Sequence, residues 1–369
     1  MPCGVALAVA ANVGVGLPTE PIGSVPRPAA LIAGIQAFED GRSSPEELEA
    51  LYDSAIRDTV ERFEATGSPV ITDGEQRKQS FATYSIHGLE NVSPDGIPIL
   101  FADGHFRNFP RLIGGPFRYR TPADVYLERA QRYAHVPVKQ AVISPSAMSL
   151  LYPQSGVRGY SRQDYLDALL VEQESEIRRC LQKGAHVVQI DFTEGRLSIK
   201  LDPTRRLLES FIDLNSLLIE RFSTDERKRI GVHTCSGGDR RSSHSADIDY
   251  AELLPSLFRL PAGNFYLQLA SEPNRTRVLK IIREHSKDEQ RIFVGVTDPL
   301  DPRVETPDEI RDRVLEAAEY IPLDRLGTTD DCGFAPFGDD TSRSRETTFA
   351  KIHSRVAGTA LAAEILGVK

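Results

Sequence analysis

Short apolar runs rich in Val and Ile alternate along the chain with longer stretches whose apolar residues recur every three or four positions, the pattern of repeated strand and helix units. Eight runs stand out, at residues 21–24, 69–72, 138–143, 186–190, 230–232, 265–269, 292–296 and 326–329. Amphipathic stretches lie between or after them, at residues 45–66, 123–133, 161–183, 205–222, 275–285, 307–320 and 347–366. Ser44-Pro45-x-Glu47 and Thr306-Pro307-x-Glu309 each place a capping hydroxyl before a proline and an acid three positions after the cap, which marks helix starts. A doubly wound open sheet is the rival architecture. No G-x-G-x-x-G follows the first run, however, and eight evenly spaced repeats predict an α/β protein built as a single (β/α)8 TIM barrel.

Residues 81–120 break the rhythm, being rich in Gly, Pro, Asn and Phe. A hairpin is expected there from Ile97 to Phe106, turning at Asp103-Gly104. An insertion of this length after the second strand is expected to lie over the barrel mouth. Residues 1–16 are small and apolar but carry no Lys or Arg, so they read as a flexible leader rather than a secretory signal. No linker or internal repeat divides residues 17–369, which are expected to form one catalytic barrel.

The totals narrow the function. A formal charge of −9 on 369 residues lacks the basic surplus that phosphate neutralisation needs, so no nucleic-acid partner is expected. No apolar run is long enough to span a bilayer, and no membrane partner is expected. Four scattered cysteines fit reduced thiols in a cytoplasmic protein better than a disulfide framework. Cys180 falls on a helical pattern and reads as a buried structural thiol, while Cys3 lies in the leader. Formation of a homo-oligomer stays open.

In a barrel of this type the active site is assembled from residues just after the strands. Ser24 follows the first run, Asp73 and Glu75 the second, Ser144 the third, and Asp191 and Glu194 the fourth. His233 and Cys235 follow the fifth, Gln268 and Glu272 the sixth, Asp298 the seventh, and Asp331 and Cys332 the eighth. His233, Cys235 and Cys332 supply one imidazole and two thiolates, a soft set suited to Zn²⁺. Zinc with an open position would hold a substrate thiol as thiolate, the form that accepts an alkyl group. Asp191 ends an apolar run at the rim, where its carboxylate could take a substrate ammonium. Glu75, close to Arg77 and Lys78, reads equally as a local ion pair or as a substrate contact. His87, His105, His135 and His285 lie away from strand ends, whereas His244 belongs to a polar loop after the proposed ligands and suits a lid.

These segments resemble the C-terminal catalytic barrel of cobalamin-independent methionine synthase, within a superfamily that includes uroporphyrinogen decarboxylase and zinc-dependent thiol alkyltransferases. The likeness runs from Pro21 to the end. Ile22-Gly23-Ser24-x-Pro26 resembles the opening motif that contacts homocysteine, and Asp73-Gly74-Glu75-x-Arg77 resembles the segment carrying an amino-acid-binding Glu. Pro137-Val138-Lys139 with Ile143-Ser144-Pro145 resembles the third-strand segment, and Gln189-Ile190-Asp191 the motif whose Asp holds the homocysteine amino group. His233-x-Cys235 and Asp331-Cys332-Gly333 resemble the zinc-binding motifs. The resemblance implies a methyltransferase of methionine biosynthesis that uses Zn²⁺, takes a homocysteine-like thiol and an alkyl donor, and relies on Asp191 and Glu75 as catalytic residues with Ile22, Ser24 and Tyr152 as further substrate contacts.

The departures are specific. The family's remaining zinc ligand is a Glu ending the sixth strand, where Gln268 stands nearest and Glu272 is the other candidate. Leu300 occupies the place of the family's catalytic His, and the chain has no Trp to stack a pterin, which leaves Tyr152 as the nearest aromatic candidate. The family's N-terminal barrel has no counterpart in this sequence. Methyl transfer to homocysteine is the leading expectation. The rivals are alkyl transfer or epoxide opening with another thiol, a metal-free decarboxylase or lyase, and a barrel that binds without turnover.

Overall fold

The computed structural model describes residues 16–368, so residues 1–15 of the expected leader, Cys3 among them, lie outside the described residues. Among the described residues ten strands occur in the order β1 (Val92–Leu100), β2 (Phe106–Leu112), β3 (Gln140–Ile143), β4 (Val188–Asp191), β5 (Ile230–Thr234), β6 (Gly238–Asp239), β7 (Ser242–Ser243), β8 (Asn264–Leu267), β9 (Arg291–Thr297) and β10 (Leu326–Asp330). Six form a parallel sheet in the order β10-β9-β8-β5-β4-β3. Every residue of β3, β4, β5, β8 and β10 is buried, as expected of strands covered on both faces, which explains why their runs are continuously apolar rather than alternating.

The first two runs reach the sheet edges through single bridges instead of ladders. Thr19 pairs with Thr328 of β10, and Ile71 pairs with Val138 just before β3. They meet each other where the Val25 N–H donates to the Gly74 carbonyl at 3.1 Å and Thr72 Oγ1 donates to the Gly23 carbonyl at 2.8 Å. The first pairing thus falls ahead of residues 21–24, where Pro21 has no N–H to give a ladder. The architecture is mixed α/β and TIM-barrel-like.

The helices start where the caps predict. Ser44 and Thr306 each accept from the backbone of the acid three residues on, and Glu47 and Glu309 return the bond, opening helices Pro45–Ala65 and Pro307–Ala318. Cys180 is buried in helix Arg162–Gln182. Helix Glu194–Leu201 was not expected from the pattern; it follows β4 after two residues and sets Glu194 at its first turn.

The hairpin is longer than the sequence suggested: β1 and β2 pair antiparallel from Val92↔Leu112 to Leu100↔Phe106, with an irregularity between Ser93 and Ile97. Pro94, Pro98 and Pro110 read as breaks, but each strand of an isolated ribbon has a free edge where a missing N–H costs little. Gly96 is required at the irregularity, because a Cβ there would lie 1.9 Å from the Phe109 carbonyl oxygen. The tip is tied to the β6–β7 segment: the Ala102 N–H donates to the Ser243 carbonyl at 3.0 Å and the Asp103 N–H to Ser242 Oγ at 3.2 Å.

At the amino ends of the strands a small polar cluster sits among Ile22, Val187, Tyr266 and Phe293. Lys139 Nζ lies 3.3 Å from the Tyr266 ring centroid and 3.4 Å from Glu20 Oε2, which also accepts from the Tyr266 hydroxyl at 2.6 Å. Burial alone would raise the Glu20 carboxyl, yet Lys139, His186 and Tyr266 outweigh it and bring it down to about 2. Burial lowers Lys139 to about 8 against the pull of Glu20, so the two partners shift unequally, because Glu20 has three supporting groups. Both stay charged at neutral pH.

Candidate metal and substrate site

The fifth and eighth runs bring the proposed ligands together. His233 lies within β5, Cys235 just after it, and Cys332 two residues after β10. One ligand atom from each falls within 4.8 Å of the other two. The Tyr266 carbonyl, 3.1 Å from Nδ1, fixes the imidazole, and the buried Nε2 has no hydrogen-bond partner among the described residues. The two sulfurs stand 3.0 Å apart, and the Gly237 N–H donates to Cys235 Sγ at 3.4 Å. The hydrogen bond between the two sulfurs pushes the Cys235 thiol well up and holds the Cys332 thiol well down. A buried ring nitrogen without a partner among the described residues, grouped within 4.8 Å of two sulfurs, suits a thiophilic cation.

Backbone clamps hold this arrangement. Asp331 accepts from the backbone N–H groups of Leu269, Ala270 and Ser271 at 2.7–2.8 Å, joining the loop after β8 to the loop after β10. Gly333 leaves room for the Ser24 hydroxyl, since a Cβ there would lie 2.3 Å from Ser24 Oγ and displace it. That close approach lets the Ala335 N–H donate to Ser24 Oγ at 3.2 Å and the Phe334 N–H to the Ser24 carbonyl at 2.9 Å.

One cavity of about 670 Å³ is lined by Ile22, Ser24, Glu75, Asp191, His233 and Cys332. Glu75 reaches it through a turn with positive φ at Gly74 (63°) and Glu75 (56°), a conformation that favours Gly and is sparsely used by Glu. Its Oε1 accepts from Lys78 Nζ at 2.9 Å, and Lys78 also donates to the Ala141 carbonyl at 3.0 Å. Arg77 turns away to Glu49 and over the Tyr52 ring. Asp191 accepts from Gln189 Nε2 at 2.7 Å; burial pushes its carboxyl up to about 7, opposed by His233 and reinforced by the charge of Glu75.

Other expected contacts fall elsewhere. Tyr152 is not among the lining residues: its hydroxyl donates to the Tyr160 carbonyl at 2.7 Å and accepts from the Val157 N–H at 3.2 Å, tying down its own loop. Gln268 Oε1 accepts the Ser236 N–H at 2.7 Å and its Nε2 donates to Glu272 at 2.8 Å, while Glu272 is paired with Arg196. Both candidates for a fourth ligand are therefore engaged in a chain of their own. Leu300 lies against Gly238 and lines a separate small pocket of about 40 Å³.

The sequence reading gave no role to several groups that line the cavity. Glu194 had been placed after the fourth run, but nothing in its neighbours marked it as inward-facing. Phe81, Phe101, Arg107 and Phe337 reach the wall from the hairpin region and the C-terminal loop. His244, expected on a lid, also lines the cavity, and burial holds its imidazole down to about 4.

Residues 17–359 match the family described as cobalamin-independent synthase, catalytic domain, and the chain belongs to that family. Membership, with methionine synthases among its relatives, makes it a methyltransferase. A methionine synthase of Sulfurisphaera tokodaii is 22% identical over 355 residues, covering 95% of this chain and 94% of that protein. A 5-methyltetrahydropteroyltriglutamate–homocysteine methyltransferase of Nitratidesulfovibrio vulgaris is 24% identical over 325 residues, 86% of this chain but 38% of that longer protein. The structure of a B12-independent methionine synthase from Shewanella superposes with a TM-score of 0.75 at 20% identity, covering 95% of this chain and 99% of that one, a likeness of fold. No described helix is long and apolar enough to cross a membrane.

Proposed function

We propose that the protein methylates the thiol of homocysteine to give methionine, with Zn²⁺ held by His233, Cys235 and Cys332. The observation that carries this reading is the meeting of an imidazole and two sulfurs within 4.8 Å of one another, with His233 and Cys332 on the wall of the cavity that Asp191 and Glu75 also line. When bound, the zinc would keep a substrate sulfur as thiolate at neutral pH. Asp191 and Glu75 would take the substrate ammonium, whose charge favours the ionised form of Asp191. Lys78 neutralises part of Glu75 and keeps the pair from repelling. Ser24 and the backbone beside Ile22 would orient the carboxylate end. Because alkyl transfer needs little proton handling at carbon, positioning of the sulfur supplies most of the rate.

The test is metal content together with product. Purified protein should carry one zinc per chain, and Cys235→Ser and Cys332→Ser should each lose it along with at least about a thousandfold of methionine formation. Stoichiometric zinc persisting in both variants would overturn the metal assignment. Failure to methylate homocysteine with any donor, in zinc-replete protein, would overturn the acceptor.

A further inference from the structure

Beside the main cavity lies the second, smaller pocket of about 40 Å³, the room of roughly three waters. Leu300 and Phe334 set it next to the cavity: Phe334 follows Gly333, and Leu300 Cδ2 lies 3.4 Å from where a Cβ on Gly238 would stand. Its remaining walls are cationic. Arg241 comes from the turn between β6 and β7, Arg343 from the loop before the last helix (Arg345–Leu366), and Lys351 from that helix.

These groups offer more donors than the protein meets. Arg240 is answered by Asp339 at 3.0 Å, but Arg241 beside it has neither a carboxylate nor a hydrogen-bond acceptor among the described residues. Arg343, whose side chain is 8% exposed, gives Nε to the Pro299 carbonyl and Nη1 to the Phe334 carbonyl and Asp340, while its Nη2 has no acceptor among the described residues. Lys351 has three ammonium donors and meets one acceptor, Glu305 Oε2 at 2.7 Å. Asp301 is the one acid in the lining, and its Oδ1 already accepts the Arg303 N–H at 2.9 Å. Burial pulls the Arg343 guanidinium below its usual range, Asp340 opposes the fall, and the like charge of Arg241 adds to it. An anion between the two would turn that repulsion into attraction, and guanidinium N–H pairs match the oxygens of a phosphate or carboxylate.

The backbone gives a second sign. Arg240 (φ 47°) and Arg241 (φ 64°) fill both central positions of the two-residue turn between Asp239 and Ser242, left-handed places where Asn-Gly folds with less strain. An arginine held in such a place without a partner is retained for its side chain rather than for the turn.

We propose that this pocket is an oxyanion site, which takes a phosphate or carboxylate group between Arg241 and Arg343 and so ties the turn after Cys235 to the start of the last helix. It stands apart from the thiol-methylation reading and survives that reading's failure. Free inorganic phosphate and the carboxylate end of an organic ligand are the two sources of that chemistry.

Calorimetric titration of the full chain with inorganic phosphate and with glutarate, in low-salt buffer lacking both, reads the site without turnover. One saturable site per chain is expected for at least one probe. Arg241→Gly should weaken it at least about tenfold while the thermal midpoint holds or rises, because glycine relaxes the left-handed position. Arg343→Gln should weaken it by a similar factor; should that variant fold poorly, Arg241→Gly carries the test. Arg259→Gln, which removes an exposed arginine paired with Glu209 outside the pocket, should leave binding within about twofold. Tighter binding of phosphate assigns the site to the inorganic ion, and tighter binding of glutarate assigns it to a carboxylate end. Absence of saturable binding by both probes overturns the proposal, as does binding that Arg241→Gly leaves unchanged.

Discussion

At the amino ends of the strands, Glu20 and Lys139 are buried with each charge answered by the other and by Tyr266. At the carboxyl ends Asp191, Glu194 and His233 are buried as well, yet Glu194 Oε2 and His233 Nε2 have no partner among the described residues. The carboxyls report the difference: Glu20 is brought down to about 2, whereas burial pushes Asp191 and Glu194 up to about 7. The same desolvation cost is offset at one end and left standing at the other. A buried carboxyl and a buried ring nitrogen left unmet on the wall of one cavity are groups that a ligand there would complete.

The largest effect should come from breaking the satisfied end. Glu20→Gln leaves Lys139 charged and buried without its counter-ion, a change that costs about 3–5 kcal/mol. The wild-type advantage should be present above pH 4.5, where an unfolded Glu is ionised, and should be lost as pH falls toward 2, the folded value. Denaturant unfolding at pH 7 and at the lowest tolerated pH measures it; an unchanged midpoint at pH 7 would mean that the pair is not offsetting its burial.

The mirror experiment has the opposite sign. Glu194 binds its proton more tightly folded than unfolded, so it destabilises progressively as pH rises from 4.5 to about 7, by roughly 3 kcal/mol. Glu194→Gln should therefore be more stable than wild type at pH 8 and equal to it below pH 4.5, by the same unfolding measurement. A variant less stable at pH 8 would show that Ser144 and Ser146 already satisfy the carboxylate, and the contrast between the two ends would close.

Much of this was legible in the chain. The parallel strands announced themselves because burial on both faces leaves continuous Val and Ile runs, and the capping boxes fixed helix starts to the residue. His233, Cys235 and Cys332 were readable only through topology: the two sulfurs meet across 97 positions because β5 and β10 present their carboxyl ends to one cavity. Tyr152 was misplaced because proximity to the third run in sequence says nothing of where a loop folds its own hydroxyl. Gln268 and Glu272 could not be separated by spacing, since what decides them is the backbone N–H of Ser236 and the guanidinium of Arg196. The full hairpin was hidden by prolines that an edge tolerates.

A third group lies between the two ends in character and sharpens the comparison. Asp239 is fully buried at the mouth, yet it is answered: Arg107 Nε lies 2.6 Å from Oδ2 and His105 Nε2 lies 3.0 Å from it. If satisfaction rather than position decides the energetics, Asp239→Asn should destabilise, as Glu20→Gln does and unlike Glu194→Gln. The effect should be smaller, about 1–2 kcal/mol, because Arg107 keeps Asp339 at 2.9 Å and stays stacked 4.3 Å over Phe337. It should also be local. Hydrogen exchange ought to quicken across residues 92–112 while β3, β4 and β5 stay protected, since the hairpin shares no ladder with the sheet and is fastened by side chains, by the tip bonds to β6–β7 and by the Leu112 N–H on the Leu151 carbonyl. Faster exchange throughout the parallel strands would instead make the hairpin part of the core, and would place the paired charges of the mouth with those of the opposite end.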